Sequence, residues 1–200
     1  MPYRNIRLSA LLLAFFAGGC ATSEVDGRAA DTPVPATLAA CYGYGCRSSA
    51  KIPVTASVSR RFSTLMAYGG RSPEAERKAI SKAVQYFEEL SASAIGTRDR
   101  AKSPIIASGE KGQMDCIDES TNTRNVMLYL QSRGLLKHHK VQPNVSRGFL
   151  IDGRYPHWTA VVSDPSGKKW AVDSWYEAAG GPPDVVPLDY WRTRGIGGQR

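Results

Sequence analysis

Two apolar stretches, His157-Trp158-Thr159-Ala160-Val161-Val162 and Trp170-Ala171-Val172-Asp173-Ser174-Trp175-Tyr176, constrain the fold more than any other feature of the chain. Short runs rich in β-branched and aromatic residues read as strands, here over residues 157–163 and 169–175. Between them Asp164-Pro165-Ser166-Gly167-Lys168 carries turn chemistry, so the two strands are expected to form an antiparallel hairpin. Side chains alternate faces along a strand. With an odd-length connection of three or five residues, His157 and Asp173 fall on one face, either opposite each other or displaced by two. A carboxylate on an apolar strand is costly to bury alone, and an imidazole within reach offsets that cost. Each of the two residues accounts for the other.

Helices are expected before this hairpin. Ser72-Pro73-Glu74 is a helix start: a capping hydroxyl, a proline in the first turn, then an acid. Ala79, Ile80, Ala83, Phe87, Leu90 and Ala94 follow at helical spacing, and Gly96 ends the run. A second helix is expected from Cys116 to Ser132, burying Ile117, Met127, Leu128 and Leu130 and stopping at Gly134. His138 and His139, just beyond it, read as partners of its last carbonyls or as solvent-facing side chains rather than metal ligands. Residues 97–113 read as a loop, and residues 51–58 and 146–151 as further strands. The tail from Gly180-Gly181-Pro182-Pro183 onward reads as irregular, with Trp191 packing it back. Helices followed by antiparallel strands make the class α+β. With 42% hydrophobic residues over 200 positions, one domain core can be built, which excludes a wholly disordered chain.

The N-terminus reads as an export signal over residues 1–19. Arg4 and Arg7 precede a short apolar run from Leu8 to Phe16, and the small residues Ala17-Gly18-Gly19 lead to Cys20. The run is well below the ~20 residues a membrane-crossing helix needs. Cys20 after small residues resembles the lipobox at which bacterial lipoproteins are acylated and cleaved, although Ala17 stands where Leu is usual. An ordinary secretory cut is the alternative. Ala21, in place of Asp, resembles lipoproteins sent to the outer membrane. Residues 20–40, with Pro33 and Pro35, then read as a flexible tether and residues 41–200 as the folded domain. The expected location is the cell envelope, in an outer membrane lipoprotein facing the periplasm and held to the membrane by its lipid. Removing Arg4 and Arg7 lowers the formal charge from +8 to +6, spread without a run of five or six like charges. No nucleic-acid partner is expected from that pattern.

With Cys20 assigned to lipid, Cys41 and Cys46 bracket Tyr42-Gly43-Tyr44-Gly45, and an oxidising compartment favours a bridge between them. Cys116 is then left reduced; a bridge from it to either of the others stays open and would remove its chemistry. Asp115-Cys116 opens a helix, where free N–H groups and the helix dipole favour a thiolate, while Asp118 and Glu119 oppose it. A thiol there, with His157 steered by Asp173, is the set that acyl transfer needs. The sulfur attacks a carbonyl, the imidazole carries a proton to the leaving amine, and the carboxylate fixes the ring. The Cys116 N–H and the Gln113 amide are candidate donors to the oxyanion.

The segments Gly112-Gln113-Met114-Asp115-Cys116-Ile117-Asp118-Glu119, His157-Trp158-Thr159-Ala160-Val161-Val162 and Ala171-Val172-Asp173 together resemble the transglutaminase-like branch of the papain fold. The small bacterial transglutaminase-like cysteine peptidases of the periplasm are most similar. The resemblance covers about residues 110–176, with 41 positions from Cys116 to His157 and 16 from His157 to Asp173. It implies a papain-like/transglutaminase-like domain with the Cys-bearing helix packed on an antiparallel sheet. It also implies a Cys116–His157–Asp173 triad that cleaves or transfers amide bonds through a thioester, with a protein or peptide substrate in the envelope. No cofactor is implied beyond calcium, which some members bind through acids in this turn. Asp115, Asp118 and Glu119 would be its ligands here, but Ile117 stands where the family commonly has an acid. One alternative is a murein peptide hydrolase of the NlpC/P60 type, whose third polar residue is often His, Asn or Gln; Asp173 favours the transglutaminase-like reading. The other is a non-catalytic lipoprotein that uses Trp158, Trp170, Trp175 and Tyr176 as a peptide-binding platform.

Overall fold

The computed structural model describes residues 37–103, 105–149, 151–152 and 156–194. The expected export signal, Cys20 and residues 21–36 lie outside them. The first described element is a hairpin of β1 (Thr37–Tyr42) and β2 (Ser48–Pro53), paired from Thr37↔Pro53 to Tyr42↔Ser48. The expected tether is therefore too long at its C-terminal end: residues 37–40 are strand, because Leu38 and Ala40 alternate into the main core. The expected strand over 51–58 is also corrected. β2 stops at Pro53, Thr55 caps a helix by accepting from the Val58 N–H at 3.3 Å, and α1 runs over Ala56–Met66. Phe62 and Met66, one turn apart, carry α1 into the core.

Helix α2 (Pro73–Ile95) has the termini that its sequence dictates. Ser72 Oγ accepts from the Ala75 N–H at 3.1 Å, and Gly96 closes the helix at φ +78°. Helix α3 (Cys116–Ser132) is the central helix, packed between α2 and β1 on one side and the large sheet on the other. Because α3 is surrounded, buried polar side chains occupy its first two turns. Ile117 is exposed and Leu128 half-buried, contrary to the apolar stripe expected, while Val126, Met127, Tyr129 and Leu130 are buried.

The large sheet is β3 (Lys140–Arg147), β4 (His157–Ser163), β5 (Lys169–Asp173) and β6 (Asp184–Pro187), antiparallel in that order. The strand expected at 146–151 lies earlier, and the tail expected to be irregular holds β6 and α4 (Leu188–Thr193). The 164–168 turn is closed by the Asp164 N–H donating to the Lys168 carbonyl at 2.9 Å, which sets Ala160 opposite Val172. Alternation then sends Ala160, Val162 and Val172 into the core under α2 and α3. Val161 and Ala171 meet Leu188 and Trp191 of α4 in a smaller core on the other face. The class is α+β with antiparallel sheets.

His138 and His139 do not serve the end of α3. The N–H groups of Lys137, His138 and His139 all donate to the buried Glu76 carboxylate of α2, and His139 Nδ1 bonds it at 2.8 Å. A buried carboxylate needs such donors, and these lie more than 60 residues away in sequence. Among the described residues no helix is long and apolar enough to cross a membrane.

Candidate active site

His157 opens β4, and Asp173 ends β5 one step beyond the Ala160↔Val172 pair, so the two are displaced diagonally on one face. Both are buried, and His157 Nε2 lies 2.8 Å from Asp173 Oδ2. The same oxygen accepts from Trp191 Nε1–H at 2.7 Å, and the other accepts weakly from the Trp175 N–H at 3.4 Å. A carboxylate only accepts, so Nε2 carries a proton, and Nδ1 is the ring nitrogen left for proton exchange. That Nδ1 is buried and makes no hydrogen bond among the described residues. The ring is boxed by Trp175, Tyr176 and Trp191, with centroids at 4.7, 5.7 and 5.7 Å. Arg147 pairs with His157 across β3–β4 and holds this box. It donates to the carbonyls of Trp191 and Arg194 and, at 2.7 Å, to the Tyr176 hydroxyl.

Cys116 is the first residue of α3, buried and free, so the alternative bridge does not form. Its sulfur packs on β4 at the backbone N–H of Trp158, the residue after His157, but makes no hydrogen bond to Nδ1. Burial pushes the thiol up to about 11; the Trp158 N–H favours the anion, while the Asp115 and Asp173 charges disfavour it. The expected thiolate at the helix start is thus reversed, because desolvation outweighs the amide dipoles. The acids opposing ionisation are Asp115 and Asp173 rather than Asp118 and Glu119. The sulfur opens on a pocket of about 160 Å³ lined by Tyr44, Ser103, Asp115, Ile117, Pro156, Trp158 and Trp175.

Tyr44 reaches this pocket from a loop with unusual backbone. Gly43, Tyr44, Gly45 and Cys46 have φ of +85°, +67°, +65° and +55°, a left-handed run that is costly for the two non-glycine residues. The Cys41–Cys46 bridge closes the loop. Asp118 clamps it by accepting from the N–H groups of Tyr44 at 2.7 Å and Cys46 at 2.5 Å, and Asp115 accepts from Gly45 at 3.1 Å. Asp115 also caps α3 through the N–H groups of Ile117 and Asp118.

Those bonds decide against the calcium reading. The carboxylates of Asp115 and Asp118 are taken up by backbone donors, whose positive ends repel a cation. Glu119 faces away, bonded to Ser174 at 2.7 Å and set with Glu88 and Asp99. The three acids do not form a cation site. Gln113 is corrected too. Its amide nitrogen donates to the Arg98 carbonyl at 3.3 Å, and its oxygen accepts from Arg100 and Ser103, so the side chain braces the 98–103 loop. Gly112 allows this approach: its φ is +76°, and a Cβ there would lie 2.6 Å from Thr97 Cβ.

Compared with protein-family models, curated proteins and solved structures, the chain matches none of them. What the site can do must therefore be read from its own atoms. It holds a protonated thiol, an imidazole whose Nδ1 has no hydrogen bond among the described residues, and a carboxylate that fixes the ring through Nε2 and is itself held by the Trp191 indole. Trp158 and Trp175 line the pocket, Tyr176 is buried behind the imidazole, and Trp170 lies elsewhere, under the Arg77 guanidinium. Trp191 as a donor to Asp173, and Arg147 behind it, are the residues that sequence reasoning missed. The sign of the first was Trp191 itself, expected to pack the tail back but not to donate to Asp173, and Arg147 has none.

Proposed function

We propose that this chain is an envelope thiol hydrolase of the transglutaminase-like, papain-related type. Cys116, His157 and Asp173 would cleave or transfer amide bonds, and Cys20 would anchor the chain through lipid. The observation that carries the reading is the buried 2.8 Å bond from His157 Nε2 to Asp173 Oδ2, which leaves Nδ1 without a hydrogen bond among the described residues, while the free Cys116 meets the backbone of Trp158, the next residue in β4. Because the thiol rests protonated, the reaction starts with the proton on sulfur. As sulfur attacks the carbonyl carbon, its proton passes to Nδ1, and Asp173 stabilises the imidazolium that forms. Nδ1 then protonates the amine as the C–N bond breaks, leaving a thioester. Water, deprotonated by Nδ1, or a second amine then releases the acyl group. The Cys116 N–H, at the start of α3, supports the oxyanion.

Full-length wild type and Cys116→Ala, compared on a mixed set of quenched-fluorescence peptides, test the mechanism. Turnover is expected to fall by on the order of 10³-fold or more in the variant with the melting temperature kept. Undiminished turnover from Cys116→Ala would reject it. Labelled palmitate should enter the wild-type chain and not Cys20→Ser; equal labelling of both removes the anchor.

A further inference from the structure

A cavity of about 630 Å³ shares no lining residue with the pocket at the Cys116 sulfur. Arg77, Ser81 and Gln85 line it at four-residue steps along α2, with Lys78 and Lys82 beside them. Leu65 of α1, Trp170 of β5 and Val185 of β6 add apolar walls. Arg77 is held in place there. Its guanidinium stacks 3.6 Å from the centre of the Trp170 ring, and Nη1 donates to His139 Nε2 at 3.4 Å. Arginine only donates, so Nε2 accepts, and Nδ1–H of the same ring donates to Glu76. Burial pulls the guanidinium down, and the Asp164 and Glu74 charges raise it, yet neither acid pairs with it. Glu74 is taken by Lys78 at 2.7 Å, and Asp164 by Ser166, the Lys168 N–H and the Trp170 indole. Arg77 and Lys82 thus face one cavity with no ion pair among the described residues.

We infer that this cavity is a second binding site, for a small amphiphilic oxyanion: an apolar body carrying a phosphate, sulfonate or carboxylate that Arg77 and Lys82 receive. The inference is independent of the catalytic reading of Cys116. Clefts of several hundred Å³, mostly apolar with a few placed polar groups, are of the size and make-up that enclose small molecules. A guanidinium offers two parallel N–H donors to one oxyanion, which an ammonium does not. Stacking on Trp170 and the bond to His139 hold the fork before any ligand arrives, so less freedom is lost on binding. The apolar walls then take up the body of the ligand, while Ser81 and Gln85 are neutral and do not repel its charge. A cation is disfavoured by Arg77 and Lys82, and a purely apolar molecule would leave the fork without an acceptor.

The test uses the full-length chain and two fluorescent probes of one shape, 8-anilinonaphthalene-1-sulfonate and its uncharged parent N-phenyl-1-naphthylamine. The sulfonate is expected to bind at least about tenfold more tightly than the parent. Arg77→Gln should erase that preference and leave the affinity for the uncharged probe in place, and Arg77→Lys should recover only part of it. Lys82→Glu, at an exposed position where the fold is not at stake, should weaken the sulfonate alone. Equal binding of the two probes by the wild type overturns the inference, as does a preference for the sulfonate that survives both Arg77→Gln and Lys82→Glu. Competition then separates the sources of the anion. Displacement by monomeric octyl phosphate supports a free amphiphile, and displacement by dioleoylphosphatidylglycerol vesicles alone supports a lipid headgroup. Displacement by neither, or equally by octanol, which lacks the anion, overturns the inference.

Discussion

Replacing Glu88 by Gln should make the protein more stable as pH rises, although it removes a buried acid that has a partner. Glu88 meets Asp99 and Glu119 in the interior behind the Cys116 helix. One of its oxygens accepts from the Gly180 N–H at 2.7 Å, and the other has no partner among the described residues. Burial lifts this carboxyl from 4.5 to about 8; the Gly180 N–H works against that, and the Asp99 charge adds to it. Below about pH 4 folded and unfolded chains both hold the proton. Above that the unfolded chain releases it first, so stability falls with each step in pH until the folded carboxyl ionises near 8. At about 1.4 kcal/mol per pH unit, the full window is worth up to about 5 kcal/mol, part of it shared with Asp99 and Glu119. Glutamine keeps the volume and the Gly180 bond, never ionises, and puts an N–H donor where the unpartnered oxygen stood. Urea unfolding of the full chain at pH 4, 7 and 9 should give nearly equal stability at pH 4. At pH 9 the variant should lead by roughly 2–4 kcal/mol. Curves that stay parallel across this range would refute the argument, because they would mean that Glu88 does not change its ionisation on folding.

Asp173→Asn keeps the shape of the site but can donate to Nε2 and leave Nδ1 protonated. Turnover should fall by about 10³–10⁴-fold with circular dichroism unchanged, measured on the best peptide substrate. Cys41→Ser with Cys46→Ser should cost roughly 2 kcal/mol of stability for so short a loop. It should also raise KM, because the left-handed run that carries Tyr44 into the pocket loses its closure; an unchanged KM would mean that Tyr44 holds its place through Asp118 alone.

Local chemistry made some of this architecture legible. Ser72 and Gly96 bound α2 because capping and left-handed closure are written into single residues. The 164–168 turn and the parity of the flanking strands were enough to bring His157 to Asp173. The features that escaped depend on partners far away in the chain. β1 looked like tether because its core contacts come from distant helices, and β6 and α4 because Gly180-Gly181-Pro182-Pro183 masks a strand that forms only against β5. Helix-dipole reasoning at Cys116 failed for a related reason: burial is a property of the assembled fold, and here it dominates the thiol. Of the acids that the resemblance offered to calcium, Asp115 and Asp118 find their donors in the distant disulfide loop, and Glu119 in Ser174.

The protonated sulfur has a consequence for survival. With a thiol near 11, only about one molecule in ten thousand carries the anion at pH 7. It is that anion which attacks peroxides and foreign disulfides and is oxidised by them. The burial that withholds a ready nucleophile therefore also shields Cys116 from being spent on oxidants between encounters, and ties its awakening to whatever occupies the pocket.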